Sequence, residues 1–335
     1  MLSNPSQLLV RNAHLFEQGQ WLLANAEDAQ VFSELDGDID GFHQNLQVYS
    51  QLKTQDNHEF AVALASEKRY DGIVLYMPKA KEHAAMLLAN LACHLKSGGC
   101  LMLVGENNSG VKSAPKLLAD YGHKAVKLDA ARHCSLFNMV LSAEVKPFNL
   151  DQWAREFELN IAEHNLRIYS LPGIFSHKSL DDGTKLLLEN LKPIPTAPVL
   201  DFACGAGIIG VFLAKKNPAI QLTMSDVSAI AVHCAGRTAE INGVKADVLA
   251  SDGLKDITRK FAAIYTNPPF HTGTHTDYSI TEQFLRDANA HLGVNGSLTL
   301  VANAFLDYPP IMEKHLAAPL VMAHTTRFKL YHCQK

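Results

Sequence analysis

A buried strand that ends in a stiff polar turn is predicted by the stretch Ile264-Tyr265-Thr266-Asn267-Pro268-Pro269-Phe270. The apolar and β-branched residues at its start are typical of a buried strand. Two successive prolines fix the backbone, give up two N–H donors and favour an extended conformation at Asn267. We therefore expect the Asn267 amide oxygen and the Pro268 carbonyl oxygen to face outwards as acceptors. The alternative is a plain strand and Pro-Pro turn, with Phe270 in the core.

Such a pair of acceptors suits a planar NH2 group. When both hydrogens of the group are bound, its nitrogen lone pair points towards an electrophile, and the positive charge that develops on the nitrogen is stabilised. Phe270 offers a flat face against which a planar substrate would stack. The turn thus indicates group transfer to an amino nitrogen, with Asn267, Pro268 and Phe270 as the catalytic residues.

A glycine-rich turn follows another predicted strand, in Val199-Leu200-Asp201-Phe202-Ala203-Cys204-Gly205-Ala206-Gly207-Ile208-Ile209-Gly210. Gly205 and Gly207 let a ligand approach the backbone, and the helix that follows presents free N–H groups. The glycine spacing also satisfies the dinucleotide fingerprint, so NAD is an alternative ligand. Asp201 argues against NAD, because a carboxylate there would repel a pyrophosphate but would pair with a cationic amino-acid group.

Four consecutive predicted strands end in a carboxylate or in Asn267. Asp226 follows one strand and is placed to bind the two hydroxyls of a ribose. Asp252 follows the next and is placed to accept from an adenine amino group. Either carboxylate could instead cap the next helix, and for Asp226 that alternative is serious. Because ligands of open α/β sheets bind outside the carboxyl ends of the strands, we expect these side chains, Asp201 included, to share one crevice.

The first half of the chain alternates apolar strand-like runs with amphipathic stretches, which is the α/β pattern, and it repeats part of the second half. Residues 69–79 align with 260–270, and residues 94–104 align with 291–301 as a helix end, a glycine-containing turn and a buried strand. Two unrelated α/β domains with a common local pattern are the alternative.

The polar chemistry is missing from this first copy. Tyr76-Met77-Pro78-Lys79 stands where the second copy has Asn267, and no glycine-rich loop follows any early strand. A lysine and a thioether cannot accept the hydrogens of an amino group. We therefore interpret residues 1–150 as a degenerate copy that serves structure or substrate docking, and residues 151–335 as the catalytic domain. A connecting helix is predicted over Gln152–His164.

From about Leu171 onwards the chain resembles the catalytic domain of S-adenosylmethionine-dependent methyltransferases, through the turn that starts at Asp201 and through Asn-Pro-Pro-Phe. The whole chain resembles the RsmC family of small-subunit ribosomal RNA guanine-N2 methyltransferases. That similarity extends through the stretches 171–176, 267–271, 301–306 and 327–331. Phe202-Ala203 departs from the pattern, since many methyltransferases have a glycine there. We expect this to alter packing rather than to abolish cofactor binding.

The resemblance implies an α/β fold of two tandem doubly wound Rossmann-like (class I methyltransferase) domains, the first degenerate. It implies S-adenosyl-L-methionine as the cofactor and, as substrate, the guanine at position 1207 of 16S RNA in the assembled small subunit. The expected cofactor-binding residues are Asp201, Ala203, Gly205, Gly207, Asp226, Val227, Asp252, Gly253 and Asn267. The expected substrate-binding residues are Phe175, Pro269, Phe270, His271, Asn303, Arg327 and Lys329.

Two other functions stay open. Asn-Pro-Pro-aromatic turns also serve methylation of adenine N6 or of a glutamine side chain, because all three acceptors are planar NH2 groups. A non-catalytic RNA-binding assembly factor is the alternative of another class, and the intact second pocket argues against it.

Composition limits the remaining classes. The chain has 335 residues, 47% of them hydrophobic and 19% charged, with a formal net charge of −4. This predicts about two well-packed domains. No run of roughly 18 apolar residues is present, so a soluble, cytoplasmic protein without a membrane partner is expected. We also expect a monomer without a DNA partner. The six cysteines form no C-x-x-C pair, so no zinc site or disulfide framework is expected. His271, His275 and Asp277 have a spacing that suits metal ligands, but their glycine- and threonine-rich context predicts a loop, and no metal is expected.

Overall fold

The structure is a computed structural model that describes residues 1–175, 179–268 and 278–335. The chain divides into two compact units. Unit 1 comprises residues 1–154 with 171–173, and unit 2 comprises residues 155–170 with 174–335. Each unit contains one seven-stranded sheet, and unit 2 has an additional two-stranded sheet.

Unit 1 alternates helices and strands, except that its fourth strand follows the third without a helix between them, and it closes with a hairpin. Its elements are α1 (Asn4–Arg11), β1 (Gln20–Ala24), α2 (Val31–Glu34), β2 (Asp38–His43), α3 (Leu46–Tyr49), β3 (His58–Phe60), β4 (Tyr70–Tyr76), α4 (Lys81–Ala92), β5 (Leu95–Glu106), α5 (Ala114–Leu118), β6 (Val126–Ala131) and β7 (Cys134–Val140).

Unit 2 begins with a hairpin and then follows the same plan. Its elements are β8 (Arg155–Ile161), β9 (His164–Ser170), α6 (Asp182–Glu189), β10 (Pro198–Phe202), α7 (Ile208–Lys216), β11 (Gln221–Asp226), α8 (Ala229–Ile241), β12 (Ala246–Ala250), β13 (Phe261–Thr266), α9 (Ser279–His291), β14 (Leu292–Asn303), α10 (Pro309–His315), β15 (Leu320–His324) and β16 (Phe328–Gln334).

The two large sheets have the same strand order. Unit 1 runs β3-β2-β1-β4-β5-β7-β6, and unit 2 runs β12-β11-β10-β13-β14-β16-β15. In each sheet the first five strands are parallel, and the last two are antiparallel to their neighbours. Long connections with helices join the parallel strands, as parallel pairing requires. The predicted α/β class and its doubly wound sheets are confirmed.

Strand register confirms the internal repeat residue by residue. Gly72 pairs with Cys100 in unit 1, and Ala263 pairs with Ser297 in unit 2, as the two sequence alignments require. Even the irregularity at the start of this ladder recurs, after Tyr70 and after Phe261. A shared local pattern between unrelated domains would not reproduce register to this degree, because a shift of one residue exchanges the two faces of a strand.

The central strands are buried on both faces, which explains their continuous apolar composition. In unit 1 the residues of β4 from Ile73 to Leu75 are fully buried, and in unit 2 Ala263 and Ile264 are likewise. Helices cover the sheets through apolar residues such as Leu87 of α4 and Leu285 of α9. The strand positions are thus fixed by the core, and the residues just beyond the strand ends are left for other roles.

The helix predicted over Gln152–His164 is wrong. The segment forms a short 3-10 helix at Leu150–Trp153 and then the hairpin of β8 and β9. Polar and apolar residues alternate along β8 with a period of two, which favours a strand. Ala162 and Glu163 both have positive φ (43° and 65°), the conformation of a two-residue hairpin turn.

Among the described residues, no helix is both long and apolar enough to cross a bilayer. The same part of the chain contains no group of three or more His, Cys, Asp or Glu side chains arranged to hold a metal ion. The predicted loop with His271, His275 and Asp277, whose spacing alone would suit a metal, lies outside the described residues.

Candidate active site

The polar strand ends of unit 2 lie along one edge of its sheet. In the order β12-β11-β10-β13, neighbouring parallel strands bring Asp252, Asp226, the glycine turn and Asn267 to the same carboxyl edge. A direct contact joins two of them, since the Gly205 N–H donates to Asp226 Oδ2 at 3.0 Å. These residues therefore share one edge of the sheet, as expected from the sequence, and their convergence on one ligand crevice stays a prediction.

The glycine turn leaves space on its open side and packs tightly on the other. Gly205 has φ of 54°, and a Cβ added there would meet no atom within 4 Å. Gly207, with φ of 79°, would place a Cβ 3.0 Å from the Ala235 backbone. The first glycine thus keeps the approach to the backbone free, whereas the second lets α7 lie close to α8.

Ala203 occupies the left-handed region, with φ of 55°. An L-residue with a Cβ is disfavoured there, and glycine is the residue of choice. This is the departure from the methyltransferase pattern noted in the sequence. The backbone adopts the glycine-type conformation despite the alanine, so the departure stores local strain and leaves the shape of the turn intact.

Asp201 is fully buried on β10. One carboxylate oxygen accepts from the Gly210 N–H at 2.8 Å, and the other, Oδ1, has no hydrogen-bond partner among the described residues. Burial raises the pKa of this carboxyl to about 8, against the lowering effect of the Gly210 bond. A buried acceptor without a donor is costly, and a cationic ligand group would satisfy it.

Asp226 is held by the backbone around it. Its Oδ1 accepts from the Ser228 N–H, and its Oδ2 accepts from Gly205, both at 3.0 Å. Burial raises the pKa of Asp226, while the N–H groups of Gly205, Ser228 and Val227 act in the opposite direction. The alternative role of a helix cap belongs to a neighbour, because Ser228 is the N-cap of α8.

Asp252 follows β12 and stands next to Gly253, whose φ of 64° leaves open space where a side chain would project. The Asp252 carboxylate pairs with the Lys255 ammonium at 2.6 Å and is 24% exposed. It is thus partly accessible and retains lone pairs for another donor.

Asn267 is the first residue after β13. Its side-chain nitrogen donates to Asp181 Oδ1 and to Thr184 Oγ1, both at 3.0 Å. The preceding Thr266 donates its hydroxyl to the carbonyl of Phe202 at 2.8 Å, which ties this strand end to β10. Pro268 follows as a buried residue, and Pro269, Phe270 and His271 lie outside the described residues.

The other predicted substrate residues occupy different places in unit 2. Phe175 is 75% exposed. Asn303 ends β14 and pairs in register with Phe328, while Lys329 stands opposite Ala302. Arg327 precedes β16, and its guanidinium binds the Asp182 carboxylate at 3.0 Å. Of this set, Arg327 therefore binds the first residue of α6. The same N-terminal end of α6 contacts Asn267.

Sequence analysis missed Asp181 and Thr184. The pattern Leu180-Asp181-Asp182-Gly183-Thr184 before an apolar helical run is a typical N-terminal cap, and this signal was available. Asp181 is indeed the N-cap of α6 and accepts from the N–H groups of Gly183 and Thr184. The contact with Asn267 could not be foreseen, because the residues are 86 positions apart.

In unit 2 the strand order, the glycine turn after β10 and the acidic strand ends together define a class I methyltransferase fold. Unit 1 repeats the strand order in tandem without the glycine turn. Two family models match accordingly. The model described as Methyltransferase small domain N-terminal covers residues 6–157, and Methyltransferase small domain covers residues 165–332.

Full-length relatives narrow the family. Ribosomal RNA small subunit methyltransferase C of Pseudoalteromonas atlantica is 48% identical over 100% of both chains. The protein of the same name from Aeromonas hydrophila is 43% identical over 98% of each chain. The chain belongs to the family of ribosomal RNA small subunit methyltransferase C. A solved T. thermophilus 16S rRNA N2 guanine-1207 methyltransferase, in complex with AdoMet and guanosine, shares the fold. Its TM-score is 0.87 at 24% identity, over 99% of this chain and 92% of that chain.

Proposed function

We propose that this protein transfers a methyl group from S-adenosyl-L-methionine to the exocyclic N2 of a guanine in 16S ribosomal RNA. The observation that carries the proposal is the position of Asn267 and Pro268, directly after β13 and beside β10, the strand that leads into the glycine turn. Full-length relatives that are named as ribosomal RNA methyltransferases support it. Guanine 1207 is the target named for the T. thermophilus protein, and we propose the corresponding guanine here.

The residues of unit 2 fit this cofactor. Space is open next to Gly205 and Gly253, where side chains would otherwise project. Among the residues that the structure describes, Asp201 Oδ1 has no hydrogen-bond partner and so suits an ammonium group, and Asp226 retains lone pairs for two hydroxyls. Asp252 suits an amino group of an aromatic ring. When bound, S-adenosyl-L-methionine supplies a methyl group on a positively charged sulfur.

Asn267 would act on the amino group that receives the methyl. Its amide oxygen and the Pro268 carbonyl would accept the two hydrogens of a guanine N2 group. This contact directs the nitrogen lone pair and stabilises the positive charge that develops on the nitrogen. Because a developing cation is stabilised by oxygen acceptors alone, the chemistry requires no strong base, and the proton is lost to water afterwards.

The target base has to leave its helix or lie in a distorted region, because its N2 is unreachable within a stack. Phe270 would stack on the exposed base, and Arg327 and Lys329 would contact nearby phosphates. We propose the small ribosomal subunit as the folded substrate and therefore the cytoplasm as the place of reaction, with the protein acting as a monomer. Unit 1 would serve structure or docking.

Transfer of labelled methyl to three unmethylated acceptors tests the proposal: small subunits, naked 16S RNA and large subunits, each followed by nucleoside analysis. We expect N2-methylguanosine from small subunits only. Label in N6-methyladenosine, or label only in protein, would contradict the assignment of the acceptor. Cofactor binding without transfer to any RNA would contradict the assignment of an RNA substrate.

A further inference from the structure

The side-chain amide of Asn267 uses both of its donors inside the protein. Asp181 Oδ1 and Thr184 Oγ1 each lie 3.0 Å from its nitrogen. A carboxylate can only accept hydrogen bonds, so the NH2 side of the amide has to face Asp181. The amide oxygen is thereby turned to the opposite side. An amide rotated by 180° would place two oxygens against each other and leave the NH2 group to meet the substrate.

Asp181 is itself fixed by the backbone. The same oxygen that accepts from Asn267 also accepts from the N–H groups of Gly183 at 2.9 Å and Thr184 at 3.1 Å. These are free N–H groups of the first turn of α6, and an aspartate N-cap is among the strongest residues for binding them. The carboxylate therefore cannot move to follow the amide without giving up the cap.

Unit 1 contains half of this arrangement. Its first helix, α1, has Ser3 as N-cap and Ser6 three residues later, as α6 has Asp181 and Thr184. The Ser6 hydroxyl contacts the Tyr76 hydroxyl at 2.8 Å, and Tyr76 holds the position of Asn267 in the repeat. In both units the third residue of the helix, Ser6 or Thr184, thus contacts the residue at the Asn267 position of the repeat. The contact from a carboxylate, that of Asp181, is found in unit 2.

We propose that Asp181 is a positioning residue, which holds the Asn267 amide with its oxygen towards the substrate. The inference rests on the proposed function, because the direction of the amide oxygen matters only if the group that receives the methyl is an NH2 group. An amide that samples both orientations would present a donor to the amino group for part of the time. The negative charge of Asp181 also polarises the amide and makes its oxygen a better acceptor for a developing cation.

Two substitutions separate this role from helix capping. Asp181→Ser keeps a good N-cap, the residue that unit 1 uses, but its side chain is too short to reach Asn267. Asp181→Asn keeps both the cap and an oxygen that can accept from the Asn267 amide, so it is the matched control. Thr184→Val removes the second acceptor without changing the shape of the side chain.

Two readouts are measured on the full chain. Selective ¹⁵N-asparagine labelling reports hydrogen exchange of the Asn267 side-chain NH2, which is identified by its loss in Asn267→Asp. Steady-state kinetics with unmethylated small subunits and titration with S-adenosylmethionine report kcat and cofactor affinity. We expect Asp181→Ser to lose exchange protection and to lower kcat about 10- to 100-fold, with cofactor affinity and melting temperature close to wild type. Asp181→Asn should keep most of the exchange protection and most of kcat. Thr184→Val should give values between those of Asp181→Ser and Asp181→Asn.

Wild-type kcat in Asp181→Ser would overturn the proposal, and so would full protection of the amide in that variant. Equal kcat losses in folded Asp181→Ser and Asp181→Asn would also overturn it. Asp181→Asn keeps the contact with the Asn267 amide, so loss of that contact could not then explain the lower kcat. Failure of the proposed function is distinguishable, since the wild-type protein would then form no N2-methylguanosine. The exchange measurement would still report whether Asp181 holds the amide.

Discussion

Units 1 and 2 share one strand order and one register but differ at almost every strand end. Ala24 pairs with Phe42 in unit 1 as Phe202 pairs with Ser225 in unit 2, so the residues that follow, His43 and Asp226, correspond. By the same register Leu23 stands for the buried Asp201. The buried core residues specify the sheet, while the residues at and beyond the strand ends can change without loss of the fold. The same fold can therefore be kept without the polar residues of the site.

The corresponding edge of unit 1 is closed by side chains. Tyr76, at the position of Asn267, is 3% exposed and bonded to Ser6 of α1. Asn25 follows β1 and binds Gln44 through both its amide oxygen and its nitrogen. Unit 2 leaves open space next to Gly205, whereas in unit 1 the polar side chains Asn25 and Gln44 form hydrogen bonds with each other. This contrast predicts one site per chain, in unit 2.

The largest expected effect comes from the paired positions Asn267 and Tyr76. Asn267→Ala should lower kcat at least 100- to 1000-fold, because removal of one preorganised contact to a charged transition state has typical effects of that size. Cofactor affinity should fall far less than kcat, because the other expected cofactor-binding residues, Asp201, Asp226 and Asp252 among them, are unchanged. Methyl transfer to small subunits and calorimetric titration with S-adenosylmethionine measure the two quantities.

Tyr76→Phe is the control for this pair. It removes the hydroxyl contact with Ser6 and should lower the free energy of unfolding by about 1 kcal/mol without affecting kcat. Undiminished turnover in Asn267→Ala, or a loss of turnover in a folded Tyr76→Phe protein, would break the distinction between the two units.

A smaller effect is expected at Asp226 and His43. Asp226→Asn should weaken cofactor binding about 10- to 100-fold, because hydrogen bonds to a charged group contribute about 1.5–3 kcal/mol. His43→Asn in unit 1 should leave cofactor affinity unchanged. Calorimetry should give one cofactor per chain in the wild type. A stoichiometry of two, or tight residual binding after Asp226→Asn, would place a second cofactor site in unit 1.

The units should also respond differently to acid. Burial lowers the pKa of His43 to about 3 and that of His83 to about 4. The folded state keeps both histidines neutral, whereas the unfolded chain binds protons below about pH 6.5, so unit 1 loses stability as the pH falls from 6.5 towards 4. Each histidine accounts for up to about 1.4 kcal/mol per pH unit. Asp201 in unit 2 acts oppositely: burial raises its pKa to about 8, so folding takes up a proton below that pH, and its contribution to stability grows as the pH falls from about 8 towards 3.8 and is lost as the pH rises.

Tryptophan fluorescence can follow this change, because both tryptophans of the chain, Trp21 and Trp153, belong to unit 1. Urea unfolding at pH 7.5, 6.5 and 5.5 should show a falling midpoint, and His43→Asn should reduce the slope. A midpoint that is independent of pH over this range would refute the assigned neutral histidines.

The smallest effect compares Ala203 with Asn25, the first residues after β10 and β1. Both have left-handed backbones, with φ of 55° and 56°, but asparagine tolerates this region better than alanine. Ala203→Gly should raise the free energy of unfolding by about 0.5–1 kcal/mol, whereas Asn25→Ala should lower it by at least about 1 kcal/mol. Thermal unfolding measures both changes, and destabilisation by Ala203→Gly would show that the Cβ contributes more by packing than it costs in strain.

Much of the fold could be predicted from the sequence, because the patterns that indicate strands, turns and helices are local. Apolar runs located β4, β10 and β13, the glycine turn located the beginning of α7, and the repeat required two similar sheets. The error at Gln152–His164 arose because a segment with alternating polar and apolar residues was interpreted as a connecting helix. Element type depends on periodicity, and the two-residue period of β8 was the better guide.

Composition and motif chemistry by themselves determined the α/β class, the duplication, the loss of chemistry in the first copy and the acidic strand ends of the second. Those properties depend on residue types and on short spacings. Tertiary structure alone decided that one oxygen of Asp201 has no partner within the described part of the chain, that Ala203 is strained and that Asp181 reaches Asn267. Each of these results from burial or contact between residues distant in sequence, because desolvation and hydrogen-bond geometry exist only once the chain has folded.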